Sequence, residues 1–131
     1  MEKSGSGRDN RQFKRLRVNL SVVYRVDRPA KVRMTVGNKE IRSTMLDLSE
    51  GGISLLTNCN IPEGTLLLMK FTLFNLEQDD VSFYGPMEIL GEVRYVMELG
   101  GSEFRLGIRF KRIEGQDKGE IADFVQRVPQ A

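Results

Sequence analysis

Two neighbouring stretches, MEILGEVRYVME at residues 87–98 and FRLGIRFK at residues 104–111, set the period of this chain. In the first, Met87, Ile89, Val93, Tyr95 and Met97 share one face, with Gly91 among them, while Glu88, Glu92, Arg94 and Glu98 share the other. In the second, Phe104, Leu106, Ile108 and Phe110 alternate with Arg105, Gly107, Arg109 and Lys111. An apolar residue at every second position marks a strand with one buried face, because successive side chains of an extended backbone point to opposite sides. This parity puts Tyr95 in the core beside Val93 and Met97, and puts Arg105 and Arg109 on a solvated face.

The same period recurs towards the N-terminus. Leu20, Val22, Tyr24 and Val26 alternate with Asn19, Ser21, Val23 and Arg25, and Lys31 to Val36 reads as a second short strand closed by Gly37-Asn38. Ile41 to Leu48 and Ile53 to Thr57 flank Ser49-Glu50-Gly51-Gly52, a tight turn between two strands. Leu66 to Phe74 follows the loop Asn60 to Gly64, and Asp79-Asp80 falls in a polar loop. Near the C-terminus the period changes. Ile121, Phe124, Val125 and Val128 follow helical spacing, Asp117 and Glu120 resemble a capping box, and Pro129 ends the run. The expected fold is mainly β, an antiparallel barrel or sandwich with one amphipathic helix at about 117–128.

The chain has 131 residues, 40% of them hydrophobic, which suits one domain. Residues 11–128 are expected to form it. Residues 1–10, which carry no apolar side chain after Met1, are expected to be a flexible basic arm. No apolar run approaches the roughly 20 residues of a membrane-spanning helix, and residues 1–10 lack the apolar core of a signal peptide. A lone cysteine, Cys59, cannot form an internal disulfide, and nothing basic beside it activates the thiol, so a cytoplasmic setting is expected. The absence of histidine removes the commonest general base and metal ligand. We expect no catalytic residues, no metal site and no cofactor, hence no enzyme.

Charge is unevenly distributed. Residues 1–33 hold ten Lys or Arg against three acids, a balance of +7, while the remainder balances at −5. A basic segment on an acidic body suggests an anionic partner. One candidate motif lies at its end, Arg11-Gln12-Phe13-Lys14-Arg15, an RxxxR pair in which Phe13 could serve as an apolar peg. With thirteen arginines about one such pair arises by chance, and Arg105 with Arg109 forms another. The second motif, Asp47-Leu48-Ser49-Glu50-Gly51-Gly52, is a DxSxxG expected by chance only about 0.04 times. Its residue types also suit an ordinary hairpin turn.

RxxxR before the first strand, DxSxxG some thirty residues later and the Leu106-Gly107-Ile108-Arg109-Phe110 strand together resemble the PilZ domain family. The resemblance spans roughly residues 8–128. It implies a six-stranded antiparallel β-barrel with a C-terminal helix, and binding of the bacterial second messenger cyclic di-GMP through the two motifs. Arg11 and Arg15 are then expected to fork onto guanine O6 and N7 or a phosphate, or to stack on a purine. Asp47 offers acceptors to the guanine N1–H and N2–H₂ donors, Ser49 a hydroxyl, and Gly52 a close approach of backbone to ligand. Gly51, Arg8 and Asn10 are weaker candidates; both glycines can take positive φ.

With such a ligand, the expected mechanism is ordering of the arm: Arg8, Arg11, Lys14, Arg15 and Arg17 repel one another in the free protein, and a doubly negative ligand relieves that repulsion, clamps the arm and so alters a surface met by an effector protein. Two other readings compete with it. One is a ligand-free adaptor of the same fold. The other is a nucleic-acid-binding barrel, against which stand an acidic body and an arm whose basic residues are interleaved by Phe13 alone.

Overall fold

The computed structural model describes residues 15–77, 80–113 and 115–127. Six strands form its body: β1 (Leu16–Arg28), β2 (Ile41–Ser49), β3 (Gly52–Thr57), β4 (Leu66–Glu77), β5 (Asp80–Gly100) and β6 (Glu103–Arg112). All pair antiparallel, and the order β1-β2-β3-β6-β5-β4 closes into a barrel as β1 meets β4. Closure removes most strand edges and lets the alternating apolar residues face a shared interior. Val22, Tyr24, Met45, Leu48, Ile53, Leu55, Leu67, Met69, Leu106 and Ile108 fill it, all nearly or fully buried. The mainly β barrel with a C-terminal helix is thus the fold expected from the sequence.

Between β1 and β2 the chain forms a helix, α1 (Ala30–Val36), where the alternation suggested a strand. The amides of Val32 and Arg33 donate to the Pro29 carbonyl, and Gly37 closes the element at φ 109° with its amide on the Arg33 carbonyl. Val32 and Val36 sit four residues apart, a spacing that satisfies both periods. Met34, which a strand would place beside them, is 83% exposed, whereas Val32 and Val36 pack against the core.

The C-terminal helix, α2 (Gly115–Arg127), starts earlier than its supposed capping box, so Asp117 lies within its first turn and favours the helix dipole instead of capping it. Ile121, Phe124 and Val125 are buried where α2 packs against β2, β4 and β5. Tyr84 Oη donates to Asp123 Oδ2 at 2.7 Å, and its ring meets Phe124 edge-on at 5.9 Å. Val128 lies outside the described residues, as do residues 1–14 and Asp79; Asp80 opens β5.

β5 departs from the expected parity. Val93 pairs with Ile108, but Tyr95 pairs with Gly107, so β5 carries one residue more than β6 across this step. Such a bulge turns the strand over. Met87, Ile89 and Val93 before it are buried, while Tyr95, Met97 and Leu99 beyond it are 40%, 50% and 47% exposed.

Candidate functional site

The DxSxxG segment ends β2, turns and starts β3. Ser49 faces Gly52 across the turn, where its hydroxyl accepts from the Gly51 amide at 3.3 Å and donates to the Gly52 carbonyl at 3.4 Å. The hydroxyl therefore staples its own hairpin, as Ser does in short turns. The Gly51 carbonyl accepts from the Phe110 amide at 2.9 Å, tying the turn to β6.

Neither motif glycine uses the positive φ open to it. Among the described residues, those of positive φ are Gly37, Gly64, Gly85, Gly100 and Gly101; Gly51 and Gly52 are not. Gly52 is required by its neighbour strand. A Cβ there would lie 2.1 Å from the Ile108 carbonyl oxygen, so a side chain at this position would push β3 off β6.

Asp47 sits two residues before the turn, with a side chain only 8% exposed. Its Oδ1 accepts from Arg15 Nη1 at 2.6 Å, and its Oδ2 accepts from Arg105 Nη2 at 2.9 Å. A carboxylate this buried is stable only when its charge is met, and two guanidinium groups meet it here. Arg15 enters from the residue just before β1. Arg105 enters from β6, 58 residues away in sequence. The sequence reading assigned Arg105 to a solvated face; its contact with Asp47 corrects that.

Above this pair the barrel wall holds an open cleft of about 360 Å³, lined by Arg15, Ser49, Gly51, Gly52, Ile53, Ser54, Arg94, Tyr95, Gly107, Ile108 and Arg109. Among the described residues three arginines and no carboxylate line it, so the cleft favours an anion. The bulge brings Tyr95 into it: the phenol lies 3.5 Å from the Ser54 hydroxyl, and the ring rests against Gly107. Tyr95 was expected in the core and instead presents a partly open aromatic face. Guanidinium forks and an aromatic face suit a ligand that carries phosphates and planar bases. A hollow of about 450 Å³ beside β1 and β4 is larger, but among the described residues Lys70 is the one charged side chain lining it and already pairs with Glu40 at 3.0 Å.

The structure thus brings Arg15, Ser49, Gly51 and Gly52 to one cleft and sets Asp47 behind Arg15. Arg8, Asn10, Arg11 and Phe13 lie outside the described residues. Arg94, Tyr95, Arg105 and Arg109 are additions that parity alone missed. The RxxxR spacing of Arg105 and Arg109 was visible, but nothing local tied it to Asp47. Among the described residues no group of three or more His, Cys, Asp or Glu is placed to hold a metal, and no helix is long and apolar enough to cross a membrane.

Comparison with known proteins agrees with this fold. The PilZ domain model matches residues 9–127. No curated protein matches by sequence. Among solved structures, the Bacillus subtilis inhibitor of motility, MotI/DgrA, is similar at a TM-score of 0.67 and 18% identity, over 90% of this chain and 50% of that one. The chain therefore spans about half the length of that protein. The PilZ domain of Escherichia coli YcgR, a structure with c-di-GMP, is similar at a TM-score of 0.58 and 16% identity, over 89% of each chain. YcgR of Escherichia coli in complex with c-di-GMP gives 0.56 and 18%, over 89% of this chain and 45% of that one.

Proposed function

The chain belongs to the PilZ domain family, and on that premise we propose that it is a cytoplasmic receptor for cyclic di-GMP, bound at the cleft beside Arg15. The observation that carries this reading is the Arg15–Asp47 pair, which joins the last residue of RxxxR to the first of DxSxxG at 2.6 Å on the rim of a cationic cleft. Two motifs 32 residues apart meet at one point. Support also comes from the likeness to the PilZ domain of YcgR, whose structure holds this ligand.

In the proposed complex Arg15 leaves Asp47 for a guanine edge or phosphate, and guanine N1–H and N2–H₂ donors take the vacated Oδ1. Arg11, with Arg8 and Asn10 as weaker contributors, closes over the ligand from the N-terminal side. Ser49 supplies a hydroxyl. Gly52 contributes by keeping β3 against β6, and Gly51 by holding the turn. Gathering the basic segment over the cleft changes the surface offered to an effector protein, and this change is the output. The role is binding, with no chemical step.

Isothermal titration of the purified protein with cyclic di-GMP, beside Arg15→Ala, tests the reading. Saturable wild-type binding that the variant loses supports it, and the stoichiometry counts the molecules held. A wild type that gives neither heat nor a melting shift would sink it and favour the ligand-free adaptor.

A further inference from the structure

We infer that Arg105 is a positioning residue for this site: it holds Asp47 in place and keeps its negative charge met while Arg15 exchanges between that carboxylate and the ligand. The inference rests on the receptor reading and explains how its central ion pair can be opened. Asp47 is 8% exposed, so if Arg15 were its sole partner, the departure of Arg15 would leave a buried charge unmet, the costliest state for a carboxylate. Arg105 prevents that state. It comes from a different strand, is half-buried, and reaches the other carboxylate oxygen at 2.9 Å, so it need not move when Arg15 does.

A second observation points the same way. Arg105 Nε is sealed from solvent and finds no acceptor among the described residues. Nε and Nη2 share the guanidinium edge that forks onto carboxylates. Arg105 therefore makes half of a fork, with Nη2 on Oδ2, while Arg15 occupies Oδ1. Departure of Arg15 clears the oxygen that the spare Nε donor can take, and arrival of guanine donors can claim it in turn. Arg105 lies outside both motifs, which explains why neither reveals it.

The test is a double-mutant cycle read by titration with cyclic di-GMP. Arg105→Met keeps the apolar stem and removes the charge; it is expected to weaken binding about tenfold, because Arg15 is then harder to release. In an Asp47→Asn background, where no charge needs holding, the same substitution is expected to change affinity by less than about twofold. Thermal melts without ligand, with Arg105→Gln as a second variant, separate this from loss of fold. An equal loss of affinity in both backgrounds, or unchanged affinity in Arg105→Met and Arg105→Gln, overturns the inference while leaving the receptor reading intact. No binding by the wild type overturns both.

Discussion

The Tyr95 ring occupies the space that a side chain on Gly107 would need: a Cβ there would lie 1.9 Å from ring atom Cε2. These two residues are partners across β5 and β6, directly beyond the bulge that turns Tyr95 outwards. One row of partners runs on from them through Ser54 and Asp47 to Arg17. The aromatic wall of the cleft and the carboxylate behind it thus belong to a single line across four strand pairings.

Two glycine substitutions should separate the cleft from the fold. At Gly107 the obstructing atoms belong to a side chain that can swing away, so Gly107→Ala should displace Tyr95 and weaken cyclic di-GMP binding at modest cost in stability. At Gly52 the obstruction is a backbone carbonyl. Gly52→Ala should therefore cost about 3 kcal/mol or more without any ligand present. Urea unfolding of the two variants, each followed by titration, checks the contrast.

Arg15→Ala should leave the barrel standing and empty its site. Its side chain is 39% exposed and Arg105 still meets Asp47, so the stability change should stay within about 1 kcal/mol. On the proposed reading, affinity for cyclic di-GMP should fall about tenfold or more, since the proposed charge-assisted hydrogen bond to the ligand would be lost. A variant that melted far below the wild type while its folded fraction still bound would contradict both halves.

Alkaline pH should unfold the protein through Tyr24. Burial in the barrel raises its phenol well above the ordinary value near 10, and the nearby Cys59 adds to that while the Thr57 hydrogen bond opposes it. The folded state thus holds the proton more tightly than the unfolded chain. Its contribution is complete below about pH 10 and is lost by up to about 1.4 kcal/mol per pH unit above it. Tyr24→Phe should cost about 1 kcal/mol at neutral pH through the lost 2.7 Å bond to Thr57, yet flatten the alkaline limb. Unfolding free energy measured from about pH 8 to 11 in both proteins decides it.

Phe124→Ala should remove about 3–5 kcal/mol, because a buried ring that meets Tyr84 edge-on leaves a hole beneath α2. Hydrogen exchange should then show α2 amides exposed before those of β2 and β3. Uniform protection across helix and barrel would mean that the helix does not open as a separate unit.

Much of this architecture was readable from alternation, because strand parity is a local property: Val22 with Tyr24, or Leu106 with Ile108, declares a buried face unaided. The reading failed where two periods coincide, as at Val32 and Val36, and where a bulge inserts a residue without any sign in composition, as between Val93 and Tyr95. The site was legible only in part for a different reason. DxSxxG and Arg15 are compact signals, but the guanidinium that completes Asp47 comes from 58 residues away and is fixed by the register of β6 on β3. Arg11, Arg8 and Asn10 remain expectations, as they lie outside the described residues.

That register also has a kinetic meaning. The cleft stands on the seam between β3 and β6, which pairs strands distant in sequence, and long loops must close before such a seam rewards the chain. No early hairpin carries the site, since β2 with β3 supplies Asp47 and the turn but neither Arg105 nor Tyr95. On the proposed reading, the site is therefore assembled only when the ring has closed, and a half-made chain emerging from the ribosome would be blind to the messenger until its last strand arrives.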